Sequence, residues 1–212
     1  NTYFENIDFK GKAITVASYF IIDGDTSHIV NTIIDGSQPD HPDTASVVRF
    51  VSGEDTSSII QGFTLTGGKG TYMPPLAQYK AGGGVFCYNS GAKILNNNIE
   101  HDSIMSDICS TGAGIYAWPP TGNAYIVVRN NRICNNYIYS VSANKSVQGA
   151  AIATDCHSII TDNVISNNES ISENFVSMAV VFCRGSAPKK YLNFSNNELS
   201  FNSCISNGNI ST

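Results

Sequence analysis

The sequence predicts an all-β fold: a single-stranded parallel β-helix, a solenoid of about six to seven coils that takes in residues 1–212 as one domain. Three observations carry this expectation. Charged residues make up only 14% of the chain, and Asn, Ser, Thr and Gly stand in their place, with 23 Asn among 212 residues. Such a composition suits many short turns and opposes long helices. Short apolar runs recur at a nearly constant interval. Within each run apolar and polar residues alternate, the period of a strand.

The first repeat set is SIIQGFTLTGG (58–68), KILNNNIEHD (93–102), IVVRNNRICNN (126–136), SIITDNVISNN (158–168) and LNFSNNELSFN (192–202). Its first apolar column is Ile60, Ile94, Val128, Ile160 and Phe194, at intervals of 34, 34, 32 and 34 residues. Five residues on comes a second, Leu65, Ile99, Ile133, Ile165 and Leu199. Between them lie Phe63, Asn97, Asn131, Asn163 and Asn197, and three residues past the second column lie Gly68, Asp102, Asn136, Asn168 and Asn202. A second set interleaves: SVVRFVSG, GGGVFCYNSG, GAGIYAWPPTG, GAAIATDCHS and SMAVVFCRGS. It aligns Val48, Val85, Ile115, Ile152 and Val181, and then Phe50, Cys87, Ala117, Thr154 and Cys183. Weaker copies precede both sets at 13–16 and 32–36. Helical repeats have similar periods, but β-branched alternation and abundant Asn, Ser and Gly exclude them. Stacked coils about 4.8 Å apart turn each aligned position into a ladder. Inward Ile and Val then form the core, and Asn columns hydrogen-bond coil to coil.

Composition also narrows function. The net charge is −5, with no basic run, so a nucleic-acid partner is not expected. No stretch reaches 18 apolar residues, so no membrane insertion is expected. The triplet Gly82–Gly84 precedes a strand and recurs as GAG, GAA and SMA in other coils. It therefore reads as a turn, not as a dinucleotide cradle, which needs its glycines between strand and helix. The six cysteines are spread singly, without metal-ligand spacing. Cys87 and Cys183 share a column but lie too many coils apart to bond, while a Cys156–Cys183 bridge is allowed but unforced. The chain opens without Met and ends inside a repeat-like segment, as a fragment of a longer chain would.

The opening segment TYFENIDFKGKAITVAS, NTIIDG (31–36), SGEDTSSIIQGFTLTGG (52–68), GGGVFCYNSG (82–91) and the recurring NNxI units resemble the pectate-lyase-like superfamily of right-handed parallel β-helices, over nearly the whole chain. The resemblance implies a right-handed coil and, as in secreted bacterial members, an extracellular or cell-surface location. It implies polysaccharide, acidic or neutral, as the partner. The superfamily holds lyases, glycoside hydrolases, epimerases, tailspikes and surface proteins without activity, so the fold leaves function open. Its lyases generally use an Arg or Lys base, often with calcium held by clustered carboxylates.

Strand alternation points Arg49, Phe86, Tyr116, Ala153 and Phe182 outward in one column, and Val51, Tyr88, Trp118, Asp155 and Arg184 in the next. The candidate substrate-binding residues are therefore Phe86, Tyr88, Tyr116, Trp118, Phe182 and Arg49: flat rings of the kind that stack on pyranose faces. The alternative is that segment 70–81, rich in apolar residues, roofs the sheet and makes the rings core. The candidate catalytic residues are Arg184, Asp155 and His157, with Lys145 nearby; a structural Asp155–Arg184 ion pair is the alternative role. No Asp–Asp pair falls on neighbouring coils as a glycoside hydrolase needs. Two functions follow: binding or lyase-like cleavage of a uronate-containing glycan, or a non-catalytic structural or adhesive segment of a surface protein.

Overall fold

The computed structural model describes residues 1–73, 79–106, 109–118, 124–140, 147–172, 180–184 and 190–206. The chain is a right-handed parallel β-helix. One coil runs through five short strands, Tyr79–Ala81, Val85–Tyr88, Ala92–Leu95, Asn98–Glu100 and Ser103–Ser106, each belonging to a different sheet. Among the described residues the sheets through Val85 and Ile94 have six strands each, the sheet through Ile99 has seven, and the sheet through Ile104 has four. Six stacked strands bound five complete turns, fewer than the six to seven coils expected. The extra strand of the Ile99 sheet, Thr2–Phe4, precedes the first complete turn.

The register follows the sequence columns. Ile60, Ile94, Val128, Ile160 and Phe194 pair in succession, as do Leu65, Ile99, Ile133, Ile165 and Leu199. Val48, Val85, Ile115, Ile152 and Val181 do the same in the Val85 sheet. These side chains form one continuous core, and Ile60, Ile94, Ile99, Ile133 and Ile165 are fully buried. The last coil departs from this. Phe194 and Leu199, in the same inward columns, are 39% and 49% exposed, because no described coil stacks on them.

The corners explain why Asn comes in pairs. The first residue of each pair bends the chain: Asn96, Asn130, Asp162 and Asn196 all have positive φ of 53–60°, a conformation Asn and Asp tolerate better than other side chains. Gly62 does the same in the earlier coil, at φ 79°. The second residue turns inward and builds the ladder. The N–H groups of Phe63, Asn97, Asn131 and Asn163 donate to Oδ1 of Asn97, Asn131, Asn163 and Asn197, at 2.9–3.0 Å. A second ladder links Gly68, Asp102, Asn136, Asn168 and Asn202 in the same way. Backbone groups left unpaired at bends are thereby satisfied inside the molecule.

Two elements break the pattern. Between strands Thr15–Ala17 and Ile33–Asp35 the first coil inserts two short helices, Phe20–Asp23 and Ser27–Asn31. In addition, the fifth sheet is not wholly parallel. Gly70–Tyr72 pairs antiparallel with Tyr79–Ala81 and with Thr44–Ala45. All six cysteines are free thiols. Cys183 pairs in register with Thr154, not Cys156, so the allowed bridge does not form. No helix among the described residues is long and apolar enough to cross a membrane.

Candidate functional site

The outer face of the Val85 sheet carries the aromatic column in the expected register: Arg49, Phe86, Tyr116, Ala153 and Phe182. Its strands are short and rich in β-branched and aromatic residues, which suits a stacked sheet. The face is not uniformly open. Phe86 is 1% exposed and Tyr116 8% exposed. They form a second small core with Met73, Ala81 and Ala153, against which Val51, Tyr79, Tyr88, Trp118 and Phe182 pack. The covering residues Met73 and Tyr79 come from the ends of the antiparallel excursion; residues 74–78 of the expected roof lie outside the described residues. Burial pushes the Tyr116 phenol up. Arg49 is held by Asp8 at 3.1 Å in a half-buried ion pair.

The half-buried rings lie where the Val85 sheet turns into the Ile94 sheet. Tyr88 and Trp118 meet edge to face, with centroids 5.9 Å apart. Across the turn stand Tyr125 and His157, the first residues of two successive strands of the Ile94 sheet, and Tyr191, the residue just before the next strand, Leu192–Ser195. The Tyr125 ring lies parallel to that of His157, at 5.5 Å and 2°, and close to that of Tyr191, at 6.4 Å and 21°. Nδ1 of His157 accepts the N–H of Tyr191 at 2.9 Å, so the ring proton of neutral His157 sits on Nε2. Tyr191 is 52% exposed, which leaves one end of this aromatic group open to solvent.

The charged residues are arranged differently from expectation. Asp155 forms its ion pair with Lys190, at 3.4 Å, not with Arg184. Lys190 Nζ also donates to the Asp155 carbonyl. Tyr191 meets His157 through its N–H, which brings the preceding residue, Lys190, to the corner that holds Asp155, two residues before His157. Arg184 is exposed, and its N–H donates to the Thr154 carbonyl at 2.8 Å. Asp155, His157 and Arg184 thus share one corner, while Lys145 lies outside the described residues. Among the described residues no three His, Cys, Asp or Glu side chains are grouped to hold a metal ion, so the donor set there does not fit the calcium that the resemblance admits.

Tyr125, Tyr191 and Lys190 are the corner residues that column reading missed. The signal is present, since the residues just before IVVR, SIIT and LNFS are Tyr125, His157 and Tyr191. This corner can offer flat rings, one imidazole N–H and a fixed Asp–Lys pair. Compared with protein-family models, curated proteins and solved structures, the chain finds no match, and its functional reading therefore rests on this geometry.

Proposed function

We propose that the chain is a secreted or cell-surface β-helix of the pectate-lyase-like kind that binds polysaccharide at the corner between the Val85 and Ile94 sheets. The observation that carries the reading is the set of near-parallel rings of Tyr125, His157 and Tyr191 on three successive coils, with the Tyr88–Trp118 pair on the neighbouring sheet. Rings fixed by β stacking present a rigid flat surface at little entropic cost, which suits the C–H faces of sugar rings. Lys190 and Asp155 supply polar contacts at its edge. Binding is favoured over lyase-like cleavage, because Lys190, a basic residue at this corner, is engaged by the Asp155 carboxylate.

The test is calorimetric titration with a panel of acidic and neutral glycans, using wild type, Trp118→Ala and Tyr125→Ala. Binding by wild type and at least tenfold weaker binding by both variants supports the reading. Absence of binding to every glycan, or variants that bind as wild type does, overturns it. A parallel assay of uronate polymers with calcium should show no rise in near-ultraviolet absorbance, and a rise would restore the lyase.

A second reading, a structural or adhesive segment, is favoured by the last coil. Phe194 and Leu199 stand exposed there in columns that are buried elsewhere, and the strands Leu192–Ser195 and Glu198–Ser200 end their sheets. Such an edge is a template for further strands. Concentration-dependent end-to-end association in sedimentation, together with no glycan binding, would select it.

A further inference from the structure

Asp102 stands in a ladder otherwise completed by asparagines. It is 0% exposed, between Gly68 in the coil before and Asn136 in the coil after. Its Oδ1 accepts the Gly68 N–H at 2.8 Å, just as Oδ1 of Asn136 accepts the Asp102 N–H at 3.1 Å. Its Oδ2 is buried and has no hydrogen-bond partner among the described residues.

The coils that follow show what that position demands. Nδ2 of Asn136 donates to the Ile99 carbonyl and to Oδ1 of Asn168, both at 3.0 Å. Nδ2 of Asn168 donates to the Ile133 carbonyl at 2.9 Å, and Nδ2 of Asn202 to the Ile165 carbonyl at 2.8 Å. The same register brings Oδ2 of Asp102 toward the Leu65 carbonyl and Oδ1 of Asn136, since Leu65 pairs with Ile99. Both of these are acceptors. A carboxylate oxygen would face them with no proton between, whereas a carboxylic acid supplies the missing donor.

The surroundings do not offset a charge. The ionisable groups that bear on Asp102 are the carboxylates of Glu100 and Asp35. His101, the next residue in the chain, is exposed and lies 3.9 Å from Glu100. Lys69, next to Gly68, is exposed. Gly84 closes the side toward the aromatic sheet, where an added Cβ would fall 2.5 Å from Oδ2.

We propose that folded Asp102 is a neutral carboxylic acid whose Oδ2–H donates to the ladder, and that losing this proton is a built-in switch that loosens the coil next to the Val85 sheet as pH rises. Burial pushes the carboxyl well up, and the Gly68 N–H opposes this only in part. The sign follows from linkage. The unfolded chain releases this proton at about pH 4 and the folded chain only at higher pH. The stability from this group is therefore complete below about pH 4 and is lost as pH rises toward the folded value. The position of the switch matters because Gly83 and Gly84, which pack on Asp102, lead directly into the strand that carries Phe86 and Tyr88.

The test compares wild type and Asp102→Asn by equilibrium urea unfolding at several pH values between about 4.5 and 8. The ratio of folding constants, variant over wild type, should grow by up to about tenfold per pH unit while the folded acid keeps its proton. Infrared spectroscopy of native wild type at about pH 6 should also show the carbonyl band of a protonated carboxylic acid, absent from the variant. The infrared reading requires no variant beyond that control. A ratio that does not change with pH, or a native protein without the band, overturns the proposal.

Discussion

Replacing Asn131 by Ala should cost several times more stability than replacing Asn202 by Ala, although both residues hold the same kind of ladder position. Asn131 is 2% exposed. Its Oδ1 accepts the Asn97 N–H at 2.9 Å. Its Nδ2 donates to the Ile94 carbonyl at 2.9 Å and to the Arg129 carbonyl and Oδ1 of Asn163 at 3.1 Å. Alanine leaves at least the Asn97 N–H and the Ile94 carbonyl without these partners, inside a core where Asn97 and Ile94 are 1% and 0% exposed. Each orphaned buried group costs about 1–3 kcal/mol, so about 4 kcal/mol is expected. For a chain of this length that lowers Tm by about 8–16 °C. Asn202 makes equivalent bonds, to the Ile165 carbonyl at 2.8 Å and from the Asn168 N–H at 2.9 Å. It lies in the last coil, however, where water can replace it, and about 1 kcal/mol is expected. Urea unfolding followed by circular dichroism measures both. Equal losses, or a loss below about 1 kcal/mol for Asn131→Ala, would refute the ladder as a source of stability.

Gly84→Ala should destabilise by about 3 kcal/mol, seen as a lower Tm, because its Cβ would meet Asp102 Oδ2 at 2.5 Å and the Gly114 carbonyl at 2.7 Å. Glu54 is 5% exposed and accepts the N–H groups of Gly11 and Ser52 and the hydroxyl of Ser90, each at 2.8 Å. Burial pushes its carboxyl up, but these hydrogen bonds outweigh burial and hold it below the usual range. Its contribution is therefore present above the unfolded value and lost as pH falls, opposite in sign to that of Asp102. Glu54→Gln should cost about 1.5–3 kcal/mol at neutral pH and progressively less as pH falls below the unfolded value of about 4.3, as read from unfolding curves across that range. Thiol titration of the native protein should find Cys204, the exposed cysteine, reacting first and Cys87 last, since burial pushes the Cys87 thiol up. A native protein in which Cys87 reacts as fast as Cys204 would contradict the packed core.

The division between what is periodic and what is not explains how far the sequence could be read. Asn97, Asn131, Asn163 and Asn197 were legible as a column because stacking repeats the same environment in every coil, and the structure pairs them in that order. The role of the preceding Asn, as a left-handed bend, was not legible, because backbone conformation leaves no mark on spacing. The candidate site divides in the same way. The register of Phe86, Tyr116 and Phe182 followed from alternation. The burial of Phe86 and Tyr116 stayed an open alternative, because Met73 and Tyr79, which cover them, lie outside the aligned columns. Asp155 found Lys190 instead of Arg184, a contact between residues outside the paired strands that the aligned columns do not register.

The sequence alone determined the coil, its register and the columns that form its core, since an interval near 34 residues and strict alternation leave each strand one way to stack. Tertiary structure alone decided which outward rings stay accessible, which charges meet, and where the lone Asp of the second ladder lacks a donor. Those outcomes depend on residues outside the aligned columns and on desolvation at single positions, which a repeat period does not encode.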